Sequence, residues 1–480
     1  MSNIFTTPHP FLNKKRKHHI AIIVVTAKTF KSLAKTQSKF AQKQIENAGF
    51  TGEAQTNLCV LGESGEIEFV LAGVSEPQKY FDTCHSFDYI KKSFTAQTLK
   101  TTSFEIDVSH IKNADMNKIF IGWGWAAYSF DAYKENAEEE IPALVWHKEA
   151  DKTRVLSQID AVNQLRNLIN TPANDCGPDE LEEFARFIAD KHGGKVKVIK
   201  DKQLLDKNFP LIYTVGKASP RTPRLIEFTW GKASDPKITL VGKGVVFDTG
   251  GLNLKPGQYM RHMKKDMGGA AHALNLAYLI MENKLPVNLR VLVPAVENAV
   301  AGEAFRPGDI IKSRKGTFVE NTNTDAEGRL ILADSLTYAC EDEPELIIDF
   351  ATLTGSARAA LGPDIPAFFA TDDKLAQALQ KLSFDIEDPV WNMPLHAPYK
   401  KHIKSSAGDL VNSASLPGDL IYSALFLQHF LQEGKKSKKT PHWVHFDCYA
   451  WEQTGRPGRP SGAADTGLRA MYAYLEKTYG

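Results

Sequence analysis

The sequence predicts an α/β protein: a small N-terminal α/β domain, then a larger C-terminal catalytic α/β domain with a central, mostly parallel sheet flanked by helices. Three observations predict it. With 480 residues, 42% of them hydrophobic and 24% charged, the chain is too long for one ordinary core and apolar enough to fill two. Short β-branched or apolar runs alternate with stretches of helical periodicity along its length. In the C-terminal part the strand-like runs are of the fully buried type, which suits a parallel sheet covered on both sides.

The first domain spans residues 1–150. Ile20–Val25 (IAIIVV) reads as a buried strand, 66-EIEFVLAGV-74 and 117-NKIFIGWGWAAY-128 are further apolar runs, and 32-SLAKTQSKFAQKQIENAG-49 is helical. The basic run Lys14–Lys17 before Ile20–Val25 imitates a secretion signal. Six apolar residues are too few for one, and Lys28 follows almost at once. Residues 151–175 form a linking helix, with Val155, Ile159, Val162, Leu165 and Leu168 spaced by three or four and Pro172 discouraging continuation.

Residues 176–480 make the larger domain. A helix opens after Pro178 and runs from Asp179 to His192. The expected strands are Ile238–Val241, Val245–Phe247, Leu289–Val293, Leu346–Phe350 and Trp443–Phe446; the expected helices are Ala270–Glu282, Leu330–Cys340 and Leu420–Leu431. In Leu330–Cys340, Leu332, Leu336 and Ala339 share an apolar face that excludes Asp334 and Tyr338.

Charge and cysteines narrow the function. Lys+Arg is 58 against Asp+Glu at 57, a balance that gives no support to a nucleic-acid partner. No window approaches a membrane span, and five scattered cysteines without a CxxC pair point to a reducing compartment, so the expected location is cytoplasmic.

Ligands of such sheets gather at the carboxyl ends of the strands. After Val245–Phe247 comes 248-DTGGLNLKPG-257, then 262-HMKKDMGGAAHAL-274, and after Leu346–Phe350 comes 351-ATLTGSARAALG-362. A fourth stretch, 321-NTNTDAEGRLILADSL-336, sets Asp325, Glu327 and Arg329 on alternate residues just where a helix should begin. Acids there can simply mark a helix start. Yet Asp248, Asp266, Asp325 and Glu327 on strand-end loops would repel one another unless cations neutralised them, and carboxylates suit Zn²⁺, Mn²⁺ or Mg²⁺. Lys243 and Lys255 accompany them. His262 and His272 lack the HExxH spacing and read as structural. Neither GxxxxGK[ST] nor GxSxG occurs, which argues against a phosphate-binding Walker loop and a serine-hydrolase elbow.

The runs 241-VGKGVVFDTGGLNLKPG-257, 264-KKDMGGAA-271, 306-RPGDI-310, 323-NTDAEGRL-330 and 349-DFATLTG-355 resemble, in order and spacing, the leucine (cytosol) aminopeptidase family. The resemblance extends to 166-RNLINTPAN-174 and to Asn412–Ser413 with the following helix. In the N-terminal part it rests mainly on 128-YSFDAYK-134. It implies a dinuclear metalloaminopeptidase. Lys243, Asp248, Asp266 and Glu327 would hold one divalent ion, and Asp248, Glu327 and Asp325, with the Asp325 carbonyl, a second and more exchangeable one. The ions would be Zn²⁺ or Mn²⁺, with Mg²⁺ and Co²⁺ as alternatives.

The same resemblance implies Lys255 and Arg329 as the catalytic pair. A metal-bridged hydroxide would attack the scissile carbonyl, which Lys255 polarises, while Arg329 holds a bicarbonate that carries the proton. Met263, Asn323, Thr352, Leu353 and Gly355 are expected around the first side chain of a peptide with a free N-terminus. The chain departs from the pattern at 445-HFDCYAW-451, where the best-known members have HxDIAG, so Tyr449 is expected to alter the pocket and a leucine preference does not follow. A homohexamer is implied. Two other readings are a nucleic-acid-binding or scaffold role for the N-terminal domain and a two-metal phosphoesterase, which would leave Lys243 unexplained as a ligand.

Overall fold

The computed structural model describes residues 5–6, 8–135 and 139–480. It divides into two compact units, Met1–Asn163 with Gln453–Ser461, and Gln164–Glu452 with Gly462–Gly480.

The first unit holds a six-stranded sheet in the order Phe11–Leu12, Ala143–Val145, Thr102–Asp107, His18–Val25, Ile67–Gly73, Asn57–Leu61. All neighbours are parallel except the last pair. The IAIIVV run is central in it, with Ile22, Val24 and Val25 buried. Two elements differ from the sequence expectation. The helical stretch 32–49 belongs to two helices, Ala27–Thr36 and Lys39–Ala48, because the Ser38 side chain accepts from Ala41 N and starts a new helix. The apolar run 117–128 is a helix, Met116–Ala126, N-capped by Asp115. It buries Phe120, Trp123 and Trp125, so an all-round apolar helix had the composition of a core strand.

The second unit is built on a nine-stranded sheet. Its order is Trp391–Asn392, Ala367–Ala370, His442–Asp447, Leu346–Ala351, Lys237–Gly242, Asn288–Asn298, Arg224–Trp230, Lys195–Lys200, and Gly244–Asp248 pairs with the far end of Asn288–Asn298. The four strands from His442–Asp447 to Asn288–Asn298, and Gly244–Asp248, are mutually parallel; the outer pairings with Ala367–Ala370, Arg224–Trp230 and Lys195–Lys200 are antiparallel. Val241, Leu292, Ile347 and Trp443 pack into one core cluster with Leu330, Leu332 and Leu336 of the helix Gly328–Cys340. Alternation sends Leu240 and Ile348 to the other face, where the helix Gly268–Glu282 lies.

The helix Gly328–Cys340 is buried nearly all round, and Asp334, expected off its apolar face, is fully buried. Its carboxylate accepts from Leu211 N and Arg314 N, both at 2.8 Å, tying the start of the helix Pro210–Gly216 and one loop to it. Tyr338 is half-buried and donates to Glu227. Three parallel strands end at Gly242, Asp248 and Ala351, and the functional side chains follow from those ends.

Candidate metal centre

Lys243 sits in the break between Lys237–Gly242 and Gly244–Asp248. Its backbone is pinned on both sides, Lys243 N to Phe350 O at 3.0 Å and Ala270 N to Lys243 O at 2.8 Å. Asp248 closes the second strand. The chain then turns at Gly250, whose φ of +86° favours glycine, and carries Lys255 back with its N–H on Thr249 O. Asp266 belongs to the short 3₁₀ helix Met263–Met267, and Glu327 is the residue before the helix Gly328–Cys340. Asp325 and Glu327 therefore leave a bent loop rather than a helical face, and alternate residues converge.

Asp248, Asp325 and Glu327 each offer an oxygen within 4.8 Å of the others. Lys243 Nζ lies 2.9 Å from Asp266 Oδ2 and 3.0 Å from Glu327 Oε1; Lys255 Nζ lies 2.8 Å from Asp248 Oδ2 and 2.5 Å from Asp325 Oδ1. Lys243, Asp248, Asp266 and Glu327 are buried, and Asp325 is half-buried. Gly328 makes the approach possible, since a Cβ there would stand 2.6 Å from Lys243 Nζ.

This set fits divalent cations. Asp266 Oδ2, Asp325 Oδ1 and Glu327 Oε1 are buried with a lysine ammonium as their charged partner, and Glu327 Oε2 is buried without a donor. Lys243 also donates to Thr352 O at 2.9 Å. Four carboxylates thus converge around two lysine nitrogens, in positions that divalent cations could take. A buried acceptor with no donor, such as Glu327 Oε2, costs about 1–3 kcal/mol, which a cation would remove.

The electrostatics agree. Burial, and then Asp248, push Glu327 up to about 8; the same causes push Asp325 up to about 6. Burial disfavours the Lys243 ammonium, but Asp266 and Glu327 outweigh it and raise its pKa. Lys255 is raised likewise, against burial, chiefly by Asp248. Without metal, the ammonium groups stand in for cations. A dication in their place would strip the Lys243 proton and restore the carboxylates to their charged form.

A ring of neutral groups positions the acids, and sequence reasoning gave most of them no role. Asn298 Nδ2 and Gly250 N both donate to Asp248 Oδ1 at 2.8 Å. Thr324 Oγ1 bonds to Gly250 O and accepts from Asn253 N. Asn412 donates to Asn321 Oδ1 and Asn323 O and accepts from Thr322 N. Thr324 lies inside the acidic motif, and that position was its signal; Asn298 closes the strand Asn288–Asn298, beyond the end the sequence suggested.

Arg329 is buried; Nη1 donates to Asn412 O at 2.7 Å and Nη2 pairs with Asp419 at 3.1 Å, while Nε is buried without a partner. Thr352 Oγ1 donates to Asp266 Oδ1 at 2.8 Å, so Thr352 touches both Asp266 and Lys243. Asn323 Oδ1 accepts from Asp325 N at 2.9 Å, Leu353 packs partly into the core, Gly355 is exposed, and Met263 begins the turn that carries Asp266. His272 bonds to Gly268 O within its own helix, and His262 lies against Trp451; neither joins the acids.

Comparison with known proteins fits this geometry. The model for the cytosol aminopeptidase family, catalytic domain, matches residues 163–472, and that for the M17 aminopeptidase, N-terminal domain, matches 20–145. A probable cytosol aminopeptidase of Aquifex aeolicus is 33% identical over 482 residues, 97% of each chain. The crystal structure of the cytosol aminopeptidase from Coxiella burnetii is 41% identical, with a TM-score of 0.89 over 98% of this chain and 100% of that one. The bottromycin maturation enzyme BotP, solved in complex with Mn, has 26% identity and a TM-score of 0.83 over 96% and 99%. An acid-and-lysine centre at the sheet's carboxyl end, inside a catalytic-domain match of this length, has one reading: the chain belongs to the cytosol aminopeptidase family of metal-dependent peptide hydrolases.

Proposed function

We propose that this chain releases the N-terminal residue of peptides at a two-metal centre. The observation that carries the reading is the convergence of buried carboxylates on one another and on Lys243. Lys243, Asp248, Asp266 and Glu327 would hold one ion. Asp248, Asp325 and Glu327, the three acids that lie within ligand distance of one another, would hold the second with the Asp325 carbonyl. Zn²⁺ and Mn²⁺ suit these ligands, with Mg²⁺ and Co²⁺ as alternatives. Bound there, the ions supply Lewis acidity and ionise a water near neutral pH.

The protein's own groups do the rest. Lys255, kept protonated by Asp248 and Asp325, polarises the scissile carbonyl and stabilises the oxyanion. Arg329 assists proton transfer by holding bicarbonate, and its unpartnered Nε is the donor for that anion. Met263, Asn323, Thr352, Leu353 and Gly355 border the first side chain. We place the enzyme in the cytoplasm as a homohexamer of peptide catabolism; no helix of the described residues is long and apolar enough to cross a membrane.

Refilling metal-free protein with Zn²⁺, Mn²⁺, Mg²⁺ or Co²⁺ tests the reading. Hydrolysis of leucine amides should be absent without metal and return with at least one ion. Equal rates with and without metal would refute it. Phosphate esters hydrolysed in preference to aminoacyl amides would favour a phosphoesterase.

A further inference from the structure

Next to the metal-binding cluster lies a group of side chains that the reaction does not use. Lys265 precedes Asp266 on the 3₁₀ helix and is 6% exposed. Among the described residues its ammonium makes no ion pair and no hydrogen bond; it lies 4.8 Å from the centroid of the Tyr449 ring. The adjacent Asp266 acts on it through space alone, its oxygens being engaged by Lys243 and Thr352. The guanidinium of Arg358, also without an ion pair or hydrogen bond among the described residues, lies 4.7 Å from the same centroid. One aromatic ring thus has two cations against it.

The surrounding backbone places this group by the expected first-residue pocket. Arg358 lies three residues after Gly355 on the helix Gly355–Leu361. Asp447, two residues before Tyr449, accepts from Leu353 N, Thr354 N and Thr354 Oγ1, locking the strand-end loops together. A Cβ at Gly268 would meet Ala450 and Thr352 at 2.7 and 3.0 Å, so the residue after Tyr449 is packed beside Thr352. An aromatic face attracts a cation but does not neutralise it, and a buried ammonium with no directly bonded anion is an incomplete arrangement. Two like charges on one ring call for an anion near both.

We propose that Lys265, Tyr449 and Arg358 form a cationic subsite that selects peptides whose first residue carries a side-chain carboxylate, aspartate or glutamate. Tyr449 narrows the pocket and holds the two cations apart; the substrate carboxylate supplies the missing negative charge. This rests on the aminopeptidase reading, and deepens it by naming the substrate class.

The test compares kcat/KM of the metal-loaded enzyme on glutamyl, glutaminyl and leucyl aminocoumarin amides, in wild type, Lys265→Met and Arg358→Gln. Glutamyl and glutaminyl differ in charge alone, so their ratio is independent of how much enzyme is folded. The expected wild-type ratio is about 10-fold or more, the range of a charge-assisted contact, falling toward one in each variant. Leucyl hydrolysis with a glutamyl/glutaminyl ratio of one or less in wild type would overturn the subsite and leave the aminopeptidase reading standing. A wild-type ratio that survives both substitutions would overturn it too. No hydrolysis of any amide would sink both. Leu-Ala and its C-terminal amide form a second arm: a preference for the free peptide, without one for acidic first residues, would show that the cations read the peptide's C-terminus and would also overturn the proposal.

Discussion

At the scale of single residues, Lys243 and Asn298 make different demands. A lysine nitrogen can ligate a metal only as the neutral amine, whereas a guanidinium does not deprotonate in proteins. It would also have to fit where even a Cβ on Gly328 would touch Nζ. Lys243→Arg is therefore expected to lose activity about 10³-fold or more by losing the centre, checked by kcat and bound metal together. Asn298→Ala removes one of two donors to Asp248 Oδ1 and leaves the acid in place. Its expected effect is 10–100-fold weaker metal affinity, by titration of metal-free protein, with kcat recovering at high metal. Lys255→Ala should keep both metals and lose about 10²–10³-fold in kcat, the usual loss for a transition-state donor.

Among the elements, the helix Gly328–Cys340 hides a buried acid that its sequence pattern places outside. Its apolar face through Leu332, Leu336 and Ala339 is real, but Asp334 is buried against the backbone amides of Leu211 and Arg314 rather than solvated. Burial, against the pull of those amides, pushes its carboxyl up to about 7. A carboxyl raised in the folded state binds its proton more tightly there than in the unfolded chain. It contributes stability that is complete below about pH 4 and lost as pH rises toward 7. Metal-free wild type should thus lose more thermal stability between pH 4.5 and 7.5 than Asp334→Asn does. Equal slopes would mean that Asp334 is ionised throughout.

The same element shows what a sequence reveals. Asp325 and Glu327 were legible because i, i+2 spacing does not suit a helical face. The central strands were legible because β-branched runs between helices have few other homes. The helix Met116–Ala126 was not, because an element buried on every side has no period to read. Asn298 was not, since an asparagine gains meaning only from the aspartate that folding brings to it.

For the whole molecule, the strands that end at Gly242, Asp248 and Ala351 bring together acids that stand up to 79 positions apart in the chain, Asp248 to Glu327. In the metal-free protein only the Lys243 and Lys255 ammonium groups offset the acids, and Glu327 Oε2 is left without a donor. Ions that bind only the folded state should stabilise it by mass action, about 3–4 kcal/mol when free metal stands 100–1,000-fold above its dissociation constant. The centre thus lies where metal binding, stability and activity are one equilibrium.

Counting bound metal while measuring turnover tests that claim most directly. Equilibrium dialysis of metal-free protein against Mn²⁺ or Zn²⁺, with leucine-amide hydrolysis followed in the same samples, should give two ions per chain and activity that tracks their binding. Fewer than two ions at saturation, or full turnover before any ion is bound, would contradict the account.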